Sequence, residues 1–177
     1  PNTDLDRTSA AINASYDITE DLTVDANANF AKSTSDNPPT SGYGSESIMY
    51  YFTWGARDVE MDRLRNYWRE GQEGIQQAHY DLNWTNNPYF QVNENTNSLD
   101  RDRLYGGVTA RYDFTENLDL RARTGLDYSD EFTKQRKAFS TITAPNGWMQ
   151  ETDRNFLEWN SNVLLNYTRE LGAFTVE

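Results

Sequence analysis

The chain has no cysteine and a single histidine, His79. No disulfide framework can form, although that absence does not fix the compartment. A His-based triad or a His-cluster zinc site has no supply of partners. No run of residues approaches the ~20 apolar positions of a transmembrane helix. Positive charge is scarce: 16 Lys and Arg stand against 28 Asp and Glu, a formal net charge of −12. That balance argues against a nucleic-acid partner. There is no P-loop and no GxGxxG pattern. Carboxylate pairs such as Asp58 and Asp62 read as helix capping and surface charge, and no pair stands out for glycoside hydrolysis. Asn93, Glu94, Asn95, Asn97, Asp100 and Asp102 form an oxygen-rich run, but their spacing is not that of an EF-hand. It reads as a solvated loop end. The expectation is a protein that is not an enzyme, with no catalytic residues, cofactor or metal.

What the chain does have is alternation. Thr8, Ala10, Ile12, Ala14 and Tyr16 fall on one face of an extended segment, with Arg7, Ser9, Asn13, Ser15 and Asp17 on the other. Leu22, Val24, Ala26, Ala28 and Phe30 then alternate with Thr23, Asp25, Asn27 and Asn29. Side chains on a strand point to opposite faces in turn, so this is a hairpin with one apolar and one polar side. The connecting phrase Tyr16-Asp17-Ile18-Thr19-Glu20-Asp21-Leu22 recurs as Tyr112-Asp113-Phe114-Thr115-Glu116-Asn117-Leu118. The second copy joins Leu104, Val108, Ala110 and Tyr112 to Leu118, Leu120, Ala122, Leu126 and Tyr128. A symmetric turn places Arg111 opposite Asp119, Arg103 opposite Asp127, and Tyr105 over Gly125. Opposite-charge cross-strand pairs contribute roughly 0.2–1 kcal/mol each. A third unit alternates Leu157, Trp159, Val163, Leu165 and Tyr167 with polar residues, turns over 168–172, and starts a further strand.

About six antiparallel strands are predicted: 6–17, 22–34, 102–113, 118–130, 156–167 and 173–177. Between them lie a long loop (35–101) and a second loop (131–154). Turn signals in soluble β-domains recur about every 8–12 residues. Short turns at one end and long loops at the other are the asymmetry of an outer-membrane barrel. Mean hydropathy is −0.90, which a barrel wall tolerates because only alternate residues face lipid. The fold class expected is all-β: a partial antiparallel transmembrane β-barrel with short periplasmic turns and long extracellular loops. The chain begins at Pro1 and stops within a strand pattern, so residues 1–177 are expected to be an internal segment truncated at both ends. Ile12, Val24, Phe30, Leu104, Leu118, Leu120, Leu126, Val163 and Leu165 are expected to meet lipid. Tyr16, Tyr112 and Tyr167 mark the periplasmic interface.

Eleven of the 24 aromatic residues fall in the long loop, so it is expected to be folded. Asp58 reads as the cap of a helix ending near Gly71, with Met61, Leu64 and Trp68 on one face. Asn86-Asn87-Pro88 reads as a turn. Loops this long are uncommon unless they bind or cover something. Trp54, Trp68 and Trp84 are the candidate ligand-binding residues. The competing reading of any one of them is packing within the loop's own core.

The order and spacing of several pieces resemble SusC/RagA-type TonB-dependent outer-membrane transporters of Bacteroidetes. These are Tyr51-Phe52-Thr53-Trp54-Gly55-Ala56-Arg57-Asp58, Tyr67-Trp68, Asn87-Pro88-Tyr89-Phe90, Glu94-Asn95-Thr96-Asn97, Asp100-Arg101-Asp102-Arg103 and Arg123-Thr124-Gly125-Leu126-Asp127-Tyr128, with the repeated turn phrase. The resemblance spans essentially the whole chain and implies the middle of a 22-stranded, plugged barrel. It further implies a SusD-like surface lipoprotein as partner, a glycan or peptide substrate, and energy from the TonB complex through parts outside this segment. The alternative from another class is a soluble, cell-surface carbohydrate-binding β-domain.

Overall fold

The computed structural model describes residues 3–171 and 174–176. Five strands form one open antiparallel sheet in sequence order: β1 (Asp6–Asp17), β2 (Leu22–Asp36), β3 (Asn97–Thr115), β4 (Leu118–Thr141) and β5 (Ala144–Tyr167). Two short strands, β6 (Arg169–Leu171) and β7 (Phe174–Val176), pair separately as an antiparallel ribbon. The last predicted strand, 173–177, corresponds to β7; its ends, Ala173 and Glu177, lie outside the described residues. The chain is therefore all-β, with short helices confined to the segment between β2 and β3. The described strands do not close into a barrel.

Two compact units divide the chain. One takes the residues up to Asp6 with Ser33–Asp100 and Glu131–Asp153. The other takes Arg7–Lys32, Arg101–Asp130 and the residues from Arg154 on.

In the second unit the repeated phrase does the same local work twice. Thr19 Oγ1 accepts from the Asp21 amide at 3.3 Å. Thr115 Oγ1 accepts from the Asn117 amide at 3.2 Å. A hydroxyl that bonds the backbone two residues on closes a tight turn without glycine. The turns are also joined sideways. Asp21 O accepts from the Asp113 amide and Asn117 O from the Thr168 amide, both at 2.9 Å. The two donors each follow a rim tyrosine, Tyr112 and Tyr167, so the tyrosine-containing phrase also sets a lateral ladder of turns.

Strands are longer than the alternation indicates. β3 runs to Thr115, so the second turn contracts to Glu116–Asn117. Arg111 Nε donates to Asp113 at 3.0 Å rather than meeting Asp119. Asp119 accepts instead from Asn166 Nδ2 at 3.0 Å. Arg103 and Asp127 do pair, with Nε to Oδ1 at 2.9 Å. Tyr105 does not cover Gly125: among described residues, only Gly106 O comes within 4 Å of where a Gly125 Cβ would stand. The Tyr105 ring lies under the Arg103 guanidinium at 4.9 Å. Gly106 is needed where β2 comes close, since a Cβ there would overlap Asn27 O and stand 2.9 Å from Ala28 Cα.

In the first unit the segment 131–154, expected as a loop, is the end of a hairpin. β4 continues to Thr141, β5 starts at Ala144, and Ile142–Thr143 form the turn. This stretch lacks the apolar alternation that marks a strand with one buried face, so periodicity did not reveal it. It is held by pairs such as Lys134–Glu151 at 3.0 Å.

The helix expected over 58–71 is replaced by one 3-10 turn, Met61–Arg65, whose N-cap is Glu60 without a side-chain bond. The backbone after it is committed elsewhere. Trp68 bridges Gln77 in antiparallel fashion; the Arg69 amide bonds Gln76 O, and the Ala78 amide bonds Tyr67 O. Helices form instead at α1 (Ile48–Trp54) and α2 (Pro88–Glu94). The expected turn at 86–88 is the start of α2. Asn87 caps it by accepting from the Tyr89 and Phe90 amides, and Pro88 takes the first-turn position that needs no N–H.

Candidate functional site

The loop between β2 and β3 has its own core. Phe90 is fully buried and carries Trp68 edge-on at 5.3 Å and Tyr67 at 6.3 Å. Tyr51, also buried, stacks edge-on with Tyr80 at 4.8 Å. Burial pushes the Tyr51 hydroxyl pKa up. It does the same for Tyr67, whose hydroxyl also donates to Glu94 at 3.0 Å.

Around these rings runs a buried amide network. Gln77 Nε2 donates to Asn86 Oδ1, and Gln77 Oε1 accepts from the Asn87 amide, both at 2.9 Å. Asn86 Nδ2 reaches Gln91 Oε1, which also accepts from Asn95 Nδ2, again at 2.9 Å each. Asn95 Oδ1 accepts from the Ala138 amide and the Thr141 hydroxyl of the β4 tip at 2.9 Å. Unpaired amides at such depth cost about 1–3 kcal/mol each, so a satisfied network fixes the loop against the hairpin.

The three tryptophan candidates are not brought together in this core. Trp68 belongs to it, half-buried against Phe90. Trp54 and Trp84 face solvent, 67% and 68% exposed. Trp54 ends α1 beside Tyr50 at 6.5 Å, and Tyr50 meets Tyr43 edge-on at 4.9 Å. Donation of the Tyr50 hydroxyl to Tyr43 raises the Tyr50 pKa, and burial and the charge of Asp81 add to it. Asp81 Oδ1 also accepts from the Asn83 and Trp84 amides at 2.7 and 3.1 Å, which sets the turn that presents Trp84. Tyr43 and Tyr50 were not singled out from the sequence; their spacing relative to α1 was the missing signal.

The second feature is the apolar face of the other unit. Cross-strand contacts join like positions to like. Trp159 and Ser161 meet Thr124, and Tyr128 donates to Asn155 at 3.1 Å, on the apolar side. Tyr112 and Phe114 stack edge-on at 4.8 Å at the turn end of that side. Ile12, Val163 and Leu165 are 66%, 70% and 60% exposed. A shallow cavity of about 650 Å³ lies among Ala14, Ala26, Ala28, Gly106, Leu126 and Trp159. The apolar positions run over Thr8–Tyr16, Leu22–Phe30, Leu104–Tyr112, Leu118–Tyr128 and Leu157–Tyr167. The next residues of the same parity are Asp6, Lys32, Asp102, Asp130 and Asn155. Lys32 and Asp102 pair at 3.5 Å. The apolar band is thus bounded at one end by four charged residues and Asn155, and it carries Tyr16, Tyr112 and Tyr167 at the other.

Among the described residues no three His, Cys, Asp or Glu side chains gather as a metal site, and no helix is long and apolar enough to cross a membrane. No protein-family model matches the chain, and no curated protein matches it.

Proposed function

We propose that the chain is part of an outer-membrane β-barrel transporter of the SusC/RagA TonB-dependent type. The observation that carries this reading is the bounded apolar band. Each strand of the sheet offers it a run that fits the ~9–11 residues of a tilted membrane-crossing strand. An exposed apolar surface of this extent on a soluble sheet is a liability. Tyr16, Tyr112 and Tyr167 then form the periplasmic girdle, and the segments 35–101 and 131–154 lie outside the cell. Glycans or peptides are the substrates, met by Trp54 and Trp84. A SusD-like lipoprotein is the partner, and the TonB complex acts through other parts of the barrel protein.

Labelling of single-cysteine variants on intact cells tests the topology, at Ser41 in the long loop and at Glu20 in a short turn. The expected result is labelling at Ser41 only. Labelling at both positions sinks the transporter and leaves the soluble surface-bound carbohydrate-binding domain, for which Trp54 and Trp84 serve equally well.

A further inference from the structure

The single histidine stands at the joint between the long loop and the β4 tip. His79 Nε2 is 3.2 Å from Gln76 Nε2 and 3.5 Å from Ser140 Oγ. Gln76 Nε2 is an amide donor whose two hydrogens face three acceptors: Ser140 Oγ at 2.9 Å, His79 Nε2 at 3.2 Å and Gln77 O at 3.3 Å. Ser140 Oγ accepts a second hydrogen from the Gln77 amide at 3.1 Å. With both acceptor positions of that hydroxyl taken, its own proton points to His79. Donor groups thus meet Nε2 from both sides, and a neutral ring that accepts there suits them. The proton of the neutral ring then sits on Nδ1, which is buried with no partner among the described residues.

A second proton does not fit this arrangement. It would set an N–H at Nε2 against the Gln76 amide and the Ser140 hydroxyl, and place a cation in a half-buried site. The charged group acting on the ring is Arg69, of like sign, on the arm whose amide bonds Gln76 O. The β4 tip presents the Ser140 hydroxyl. Ser140 itself is held at φ 72°, a conformation rarely adopted by a residue with a side chain. Its neighbours hold it there, and Gln77 Nε2 bonds its carbonyl.

We infer that His79 is a pH-sensitive latch: neutral, it closes the junction between loop residues 76–95 and the β4 tip at 138–142; protonated, it opens that junction. The inference lies within one unit and does not rest on the transporter reading. Its sign follows from burial and from Arg69, which both lower the His79 pKa below the ordinary 6.5. The open junction binds the proton more readily than the closed one. Closure is at full strength above pH 6.5, weakens as the pH falls from 6.5 to the lowered value, and levels off below it.

Hydrogen exchange of the folded protein, corrected for intrinsic pH dependence, tests this between about pH 7.5 and about pH 5. Protection of peptides covering 76–95 and 138–142 should fall, by at most about ten-fold per pH unit. Peptides of the β1–β2 hairpin should not change. In His79→Gln, whose amide does not titrate, the loop profile should be flat. Unchanged protection in the wild type, an equal fall in His79→Gln, or a uniform fall across the protein overturns the latch. Should His79→Gln fail to fold, the wild-type midpoint decides. Below 6.5 but above the carboxylate range of about 4 it supports the latch; within that range it overturns it.

Discussion

The indole N–H of Trp159 on β5 donates to Thr124 Oγ1 on β4 at 2.7 Å and, less closely, to Ser161 Oγ at 3.1 Å. The two hydroxyls bond each other at 2.9 Å. Three polar groups on an apolar face thus satisfy one another without water. Yet Trp159 is 72% exposed in the sheet alone. In water such a triad is expendable, because solvent replaces any partner removed. In hydrocarbon it is not.

The paired change Thr124→Val with Ser161→Ala exploits that difference. It leaves the Trp159 N–H without a protein partner. If the face meets lipid, the loss is about 1–3 kcal/mol, read as a lower unfolding temperature in bilayers by gel mobility of the heated barrel. Trp159→Phe added to that pair should recover most of it, since the stranded donor goes. No loss from the paired change would place this face in water.

A charge tests the same face at a different point. Leu120 lies on the apolar side and Thr109 on the polar side of adjacent strands, both half-buried. Leu120→Arg should cost less than the roughly 2–4 kcal/mol of a bilayer midplane, because it stands one same-face step from Leu118 at the rim, and still more than the lumen-side change. Thr109→Arg should cost little. Assembly yield of the full barrel protein in the outer membrane reads both. Equal effects at the two positions would defeat the assignment of faces.

Double-mutant cycles separate the ion pair that forms from the one that does not. Arg103 and Asp127 side chains remain 42% and 28% exposed, so screening keeps their coupling within about 0.2–1 kcal/mol. Arg111 and Asp119 should show no coupling, because each has another partner. Coupling between Arg111 and Asp119 comparable to that of Arg103 and Asp127 would mean that the second turn is wider than Glu116–Asn117.

Those two pairs also mark where the sequence is legible. Alternation defines faces well, because a single slip would expose a whole apolar row. It placed β1 at Asp6–Asp17 and started β2 and β4 at Leu22 and Leu118, as found. It says nothing where apolar residues such as Phe132, Phe139, Trp148 and Met149 fail to alternate, so the hairpin at Glu131–Asp153 reads as loop. Turn width escaped too, since Thr115 serves the turn and the strand at once. In the long loop, the helical spacing of Met61, Leu64 and Trp68 was overridden by the bridge of Trp68 to Gln77. Packing of Trp68 has no sequence signal, because it rests on Phe90, which is distant along the chain, whereas the turn that presents Trp84 is set locally by Asp81.

Asn87 is where loss of one side chain should reach furthest. It is 1% exposed. Its carbonyl oxygen caps α2, and its Nδ2 donates to Leu64 O at 3.0 Å and Ala78 O at 3.1 Å. One amide therefore ties the 3-10 turn, the Gln77 arm and α2 together. Asn87→Ala removes a cap worth about 0.5–2 kcal/mol and strands two carbonyls at about 1–3 kcal/mol each. Asn87→Asp keeps the cap but turns both Nδ2 donors into acceptors facing carbonyls, so it should be no milder than alanine. Exchange protection over 61–95 should collapse in both variants, while the β1–β2 hairpin keeps its own. A cap-only role predicts the opposite for aspartate, with protection close to wild type.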